Sequence, residues 1–341
     1  MRPSGPWSWA LPLSERLLDD YDAVLLDLDG TVYRGSEAVP GAAETIKIIR
    51  EADTSVRFVT NNASRSPGEV ADHLNELGIP AATDEVCTSA QAAAVVLADR
   101  LSPNAIVLVV GAKALADEVR QVGLRPTREA SPETDAVVQG LDKRLGWREL
   151  SEAVLAIRAG AFWVACNVDL TLPTERGQVI GNGALVAAVE AATGKHPEVA
   201  GKPNRPLMDQ SARSANATRP LVVGDRLDTD IAGAHAANLD ALMVFSGVST
   251  PLELLEGGLR PRYLAADLTA MTEPASSLAI GEQPGWVIEP NLHVRSRGNG
   301  DALSLLRALC VAHRGGPFEL TPEDDHGRAM LAELGLRDRL A

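Results

Sequence analysis

The chain has 341 residues, 45% of them apolar and 23% charged, with 46 acidic against 32 basic side chains and a formal net charge of −14. That length favours two or three domains, and the composition supplies a core of ordinary size. The acidic balance argues against a nucleic-acid binder, which needs a basic face, and against docking on an anionic membrane surface. Any anionic substrate must then be drawn in by local cations, from lysine and arginine or from a bound metal.

Cys87, Cys166 and Cys310 are widely spaced and odd in number, so they suggest neither a disulfide framework nor a zinc site. They read as small buried residues of a reducing compartment. Pro3, Pro6 and Pro12 interrupt the segment around Trp7 and Trp9, which resembles neither a signal peptide nor a membrane span. A cytoplasmic location is the expectation.

Residues 23–28 form a short apolar run ending in Asp29-Gly30-Thr31, which predicts a buried strand leaving the carboxyl edge of a sheet. A helix over 41–51, a strand over 56–60 and a helix over 67–77 closed by Gly78 follow. The middle of the chain repeats the alternation. Helices are predicted at 89–101, 112–122 and 147–159, and strands at 105–110, 136–138 and 161–166. Residues 167–183 read as a loop before a helix over 183–193. A helix at 207–215, a strand at 220–223, a helix at 231–237 and a strand at 241–245 complete this part. Such alternation predicts an α/β fold with a mainly parallel sheet, which places ligands beyond the carboxyl ends of its strands. From about residue 278 the pattern changes to a hairpin around Pro290-Asn291, a helix over 302–313, a short strand at 317–320 and a last helix over 322–334. This stretch is small for an independent core and is expected to pack on the rest.

Asp27 and Asp29 stand two residues apart at the end of the first strand, with Gly30 permitting a sharp turn. One carboxylate can attack phosphorus, and the other can protonate a departing alkoxide and then activate water. A second acidic group, Gly224-Asp225-Arg226-Leu227-Asp228-Thr229-Asp230, also ends a strand and suits magnesium, a hard cation that takes oxygen ligands. Between the two lie Thr60 and Asn61, which can donate hydrogen bonds to phosphate, and Lys202 between Gly201 and Pro203. Each has a plainer reading. Asp-Gly pairs are commonly turns, Asp228 and Asp230 can cap the next helix, and Lys202 can be a surface lysine. Arg226 is open between phosphate ligand and exposed charge, and His235 reads as structural.

Together these motifs resemble the haloacid dehalogenase (HAD) superfamily, whose DxDGT, strand-terminal threonine, lysine and GDxxxxD occur in order between about 22 and 247. The resemblance implies a Rossmann-like parallel-sheet core, with Asp27 as nucleophile and Asp29 as acid/base. It implies Thr60, Asn61, Asn62 and Lys202 around the phosphoryl group. Magnesium would be held by Asp27, the carbonyl of Asp29, and Asp225, with Asp230 as a ligand or just behind. The long interval between Gly78 and Lys202 resembles an inserted α/β C2-type cap. Thr60-Asn61-Asn62 and Asn167-Val168-Asp169 are similar to the 4-nitrophenylphosphatase, phosphoglycolate and pyridoxal phosphatase group, making Asn167 and Asp169 candidates for substrate selection. The small α+β C-terminal stretch resembles the GNAT-like appendage of some bacterial glycerol-3-phosphate phosphatases. Expected boundaries are 1–80 with 184–275 for the core, 81–183 for the cap and 280–341 for the appendage. The resemblance implies a small phosphate monoester as substrate, glycerol 3-phosphate first, with 2-phosphoglycolate, pyridoxal phosphate and 4-nitrophenyl phosphate as alternatives, and a homodimer as a possible assembly. A regulatory protein on the same scaffold is the non-enzyme alternative, and acetyl transfer by the C-terminal stretch is a third.

Overall fold

Residues 14–174 and 176–340 are described in this computed structural model; the segment carrying Trp7 and Trp9 lies outside them. The apolar run forms the strand Ala23–Leu26, whose four residues are all buried, as a central parallel strand requires. It lies between Ser55–Thr60 and Pro220–Gly224 in a six-stranded sheet that continues to Val86–Thr88 at one edge. Asp240–Val244 and Tyr263–Ala265 complete the other edge. Every pairing in this sheet is parallel. The chain builds outward from Ala23–Leu26 in one direction and later returns to its other side with Pro220–Gly224. That reversal opens a crevice beyond the carboxyl ends of these two neighbours, where Asp27, Asp29 and Asp225 follow their strands.

A second parallel sheet runs in the order Glu198–Val199, Phe162–Ala165, Ala136–Gln139, Ile106–Val110, Arg125–Thr127. Its carboxyl ends approach those of the first sheet. Asn167, just past Phe162–Ala165, donates from Nδ2 to the Asn61 carbonyl at 2.7 Å. A Cβ on Gly140, just past Ala136–Gln139, would meet the Ala63 Cβ at 3.1 Å. The edge strand Val86–Thr88 of the first sheet lies past the junction expected at residue 80. Glu198–Val199 of the second lies past the one expected at 183. Both are too short to carry a sequence period. The stretch expected as a loop contains the antiparallel pair Thr171–Thr174 and Gly177–Ile180, with Gly177 at φ 108 where the second strand begins.

The C-terminal stretch forms a three-stranded sheet, Trp286–Glu289 with His293–Ser296 and Thr321–Pro322, covered by the helix Ala302–Ala312. The strand falls at 321–322 rather than 317–320, and the last helix, Asp325–Glu333, starts after Asp324, which caps it through the Gly327 N–H at 2.7 Å. This stretch shares one apolar cluster with both larger sheets. Arg307, buried in Ala302–Ala312, donates to the Leu264 carbonyl at 2.7 Å, and the Arg260 guanidinium donates to the His313 carbonyl at 3.0 Å. The appendage thus covers the edge strand Tyr263–Ala265. No helix among the described residues is long and apolar enough to cross a membrane.

Candidate active site

The two acidic motifs meet because their strands are neighbours. The Asp27 N–H donates to the Val223 carbonyl at 2.9 Å, which continues the ladder one residue past Leu26 and fixes where the Asp27 side chain begins. Gly30, at φ 97, then folds the chain under Asp225; a Cβ there would reach 2.5 Å from the Asp225 carboxylate. The other wall comes from a segment in which the sequence shows no motif. The Val248 N–H donates to Asp225 Oδ2 at 2.6 Å, and the Ser246 hydroxyl donates to the Gly30 carbonyl at 2.7 Å. A side chain on Gly247 would overlap the Asp225 carboxylate. Gly247→Ala is therefore expected to fold but to require at least about tenfold more magnesium for half-maximal activity, checked by titrating the metal at saturating ester.

Lys202 is 3% exposed, and its Nζ is held between the Asp27 carboxylate and Asp230 Oδ1, the latter at 2.8 Å, while also donating to the Val59 carbonyl at 3.1 Å. Asp230 accepts the Arg226 N–H on Oδ2 at 3.1 Å, while its buried Oδ1 meets Lys202 as an ion pair and has no hydrogen-bond partner among the described residues. Neither Asp228 nor Asp230 caps the helix Ala232–Ala236, which has no side-chain cap. Asp228 instead binds the Arg226 guanidinium at 3.0 and 2.7 Å.

Asp27, Asp225 and Asp230 offer oxygens that all lie within 4.8 Å of one another. Three carboxylates against one ammonium leave the site short of positive charge. Burial, reinforced by the Asp230 charge, pushes Asp27 up to about 8 despite Lys202, and pushes Asp225 up to about 6. Asp29 is exposed at the mouth of the site, and partial desolvation raises it against a hydrogen bond from the Gly35 N–H. Burial opposes the charge on Lys202, but Asp230 and Asp27 outweigh it and raise its pKa. Asp225 Oδ1 is buried without a hydrogen-bond partner among the described residues. An oxygen-only donor set with an orphaned carboxylate oxygen and excess negative charge fits a hard divalent cation.

The sequence of residues 24–125 matches the family of haloacid dehalogenase-like hydrolases, and residues 199–271 match a second HAD-hydrolase-like family. D-glycerol 3-phosphate phosphatase of Mycobacterium tuberculosis is 46% identical over 331 residues, 94% of this chain and 92% of the relative. The chain belongs to the haloacid dehalogenase-like hydrolases. Among solved structures, the glycerol phosphate phosphatase from M. tuberculosis in complex with magnesium superposes with a TM-score of 0.90 at 46% identity, over 94% of this chain and 99% of that one. A thermostable NPPase double mutant from Geobacillus stearothermophilus superposes with a TM-score of 0.67 at 36% identity, over 73% and 96%. Residues 283–336 match a GCN5-related N-acetyltransferase-like domain.

Within this HAD fold, Asp27, Asp225 and Asp230 offer oxygens within 4.8 Å of one another, and Lys202 contacts Asp27 and Asp230. Thr60 borders them at the end of its strand; its Oγ1 accepts the Asn62 N–H at 3.1 Å, which leaves the hydroxyl hydrogen to donate. Asn62 Oδ1 accepts from the backbone and hydroxyl of Ser64, at 2.8 and 2.7 Å, shaping the turn. The Asn61 side-chain amide is engaged by Lys202 and Asp169. Sequence reasoning missed Ser246, Gly247 and Val248. The only signal was a glycine just past the last strand of the motif region.

Proposed function

We propose that this HAD hydrolase is a magnesium-dependent phosphatase that cleaves glycerol 3-phosphate to glycerol and inorganic phosphate through an aspartyl-phosphate on Asp27. The observation that carries the reading is a carboxylate at a strand end, gripped by a buried lysine, with a second carboxylate two residues on. Similarity along 94% of the chain, appendage included, to a relative named for glycerol 3-phosphate favours that ester over those of the shorter relatives.

In this reading Asp27 attacks phosphorus, the bond from phosphorus to the alcohol oxygen breaks, and Asp29 gives its proton to that oxygen. Partial desolvation, which raises Asp29, favours the protonated form needed here, and its exposure leaves it open to water. Asp29 then takes a proton from water as the water oxygen attacks phosphorus, releasing phosphate and restoring the Asp27 carboxylate. Lys202 and the Thr60 hydroxyl face the phosphoryl oxygens, and Lys202 keeps Asp27 aimed. Asp27, Asp225 and the Asp29 carbonyl are the groups that would hold magnesium, with Asp230 behind them because Lys202 and Arg226 already occupy it. Bound magnesium supplies the positive charge that lets an anionic carboxylate meet an anionic ester. The sheet built around residues 106–199 serves as the cap, excluding bulky phosphates, within the expected 81–183 insert and somewhat beyond it.

The test is phosphate release from a panel of small esters, with magnesium and with chelator. Magnesium-dependent release fastest on glycerol 3-phosphate supports the reading; no release from any ester ends it. The metal also leaves a signature in stability. Asp27 and Asp225 rise from 3.8 to about 8 and about 6, so the metal-free fold binds more protons than the unfolded chain between about pH 4 and 8. Its stability therefore falls as pH rises through that window. Magnesium relieves the repulsion only where the carboxylates are ionised, so its gain in thermal midpoint is expected to be larger at pH 8 than at pH 5. Thermal melts with magnesium and with chelator at both pH values check this.

A further inference from the structure

We infer that Asn61 is a positioning residue that couples the cap loop at 167–169 to the backbone of Lys202, rather than a ligand of the substrate phosphate. The inference deepens the proposed function in one respect, since it takes Lys202 as the partner of the nucleophile.

A primary amide has two N–H hydrogens and one acceptor oxygen. Asn61 Nδ2 donates to the Lys202 carbonyl at 2.9 Å and to the Asp169 carboxylate at 3.2 and 3.3 Å. Asn61 Oδ1 accepts the Lys202 N–H at 2.8 Å. Both hydrogens are spent, and the oxygen would repel a phosphate. The pair of bonds to one residue grips the Lys202 peptide as a neighbouring strand would. At the far end of the same side chain, Nζ is fixed by Asp27, Asp230 and the Val59 carbonyl. Lys202 is therefore held at both ends, and Asn61 sets one of them.

The other half of the coupling is the cap. The Asn61 carbonyl accepts from the Ser89 hydroxyl at 2.6 Å and from Asn167 Nδ2 at 2.7 Å. Asn167 Oδ1 in turn accepts the Asp169 N–H at 3.2 Å, and its carbonyl accepts from Asn182 Nδ2 at 2.7 Å. Gly201 permits this convergence: a Cβ there would come within 2.6 Å of Asn61 Oδ1 and 2.5 Å of the Cys166 carbonyl. Displacing the cap loop removes one acceptor from the Asn61 amide, which then has no fixed second partner and holds the Lys202 peptide less firmly. Cap position and lysine position are one arrangement.

The experiment compares Asn61→Ala, Asp169→Ala, Asp169→Asn and the Asn61→Ala/Asp169→Ala double variant. It measures kcat and KM on glycerol 3-phosphate, 2-phosphoglycolate and 4-nitrophenyl phosphate, and hydrogen exchange of the Lys202 amide. Asn61→Ala and Asp169→Ala are expected to lower kcat between about tenfold and a hundredfold, by the same factor for every ester. The double variant is expected to be no worse than Asn61→Ala. Asp169→Asn keeps an acceptor for the Asn61 amide and is expected to restore most of kcat. Effects that multiply overturn the coupling, as does a change confined to the KM of one ester, or failure of Asp169→Asn to rescue. The exchange measurement is independent of turnover: the Lys202 amide is expected to exchange at least about tenfold faster in Asp169→Ala. Unchanged exchange ends the inference even in a protein that hydrolyses no ester, whereas faster exchange without hydrolysis faults only the proposed function.

Discussion

Asp27→Asn is expected to lower phosphate release by about a thousandfold or more while leaving the metal-free protein at least as stable as the wild type at pH 8. The loss of activity follows from chemistry, because an amide nitrogen or oxygen in place of the carboxylate cannot form and release the acyl phosphate. The stability follows from electrostatics. Asp27 shares a buried pocket with Asp225 and Asp230, and its pKa is raised to about 8 even with Lys202 in contact. A carboxyl whose folded pKa lies above its unfolded one is destabilising wherever it must ionise, here increasingly above about pH 4. Replacing it by a neutral amide of the same shape removes that cost, and Lys202 retains Asp230 as a partner. Measuring kcat alongside the thermal midpoint in chelator separates this from misfolding. A variant that keeps wild-type turnover sinks the nucleophile assignment.

Much of this arrangement was legible in the sequence because strand ends and charged residues leave strong local marks. The short apolar run 23–26 reads as a buried strand, and carboxylates placed directly after it are candidates for chemistry or metal binding. The same holds for Asp225 after Pro220–Gly224. What stayed hidden has physical reasons too. Val86–Thr88 and Glu198–Val199 are edge strands of three and two residues, and their identity comes from neighbours far away in the chain. The pair Thr171–Thr174 and Gly177–Ile180 contains Pro173 and is largely exposed, so neither an apolar period nor a buried face announces it.

The site shows the same division. Donors and acids were readable; the groups that shape space around them were not. Gly247 matters because its missing side chain admits the Asp225 carboxylate, and Val248 through a backbone N–H that every non-proline residue carries. The Asn61 side chain meets Lys202 and Asp169, partners that its place in the sequence does not announce. Next to a strand-terminal threonine an amide reads as a donor to substrate, and only the approach of 167–169 and 201–202 from distant sequence shows where its hydrogens go.

Lys202→Met is expected to be the most damaging change to the fold, costing about 3–5 kcal/mol at neutral pH and, with magnesium present, at least about a hundredfold in kcat. Methionine approximates the volume of the aliphatic stem, so packing is largely kept and the lost charge is the cause. Without the ammonium, Asp27 and Asp230 face each other in a buried site, joined by Asp225, with no cation among the three carboxylates. The sign with pH follows. Lys202 opposes the rise in the pKa of Asp27, so its removal pushes that carboxyl further above its unfolded value. The variant should then be closest to wild type in acid, where the folded carboxyls hold their protons, and should lose ground above about pH 6, where Asp225 and then Asp27, both held down by Lys202, ionise in the wild type but keep their protons in the variant. Magnesium should recover part of the stability at pH 8, because it returns positive charge to the same carboxylates, but not the turnover, because it does not restore the donor that aims Asp27. Denaturant melts at pH 5 and pH 8, each with magnesium and with chelator, read out all four conditions. A loss relative to wild type that is the same at both pH values would mean that Lys202 contributes packing rather than charge, and the electrostatic account of the site would fail with it.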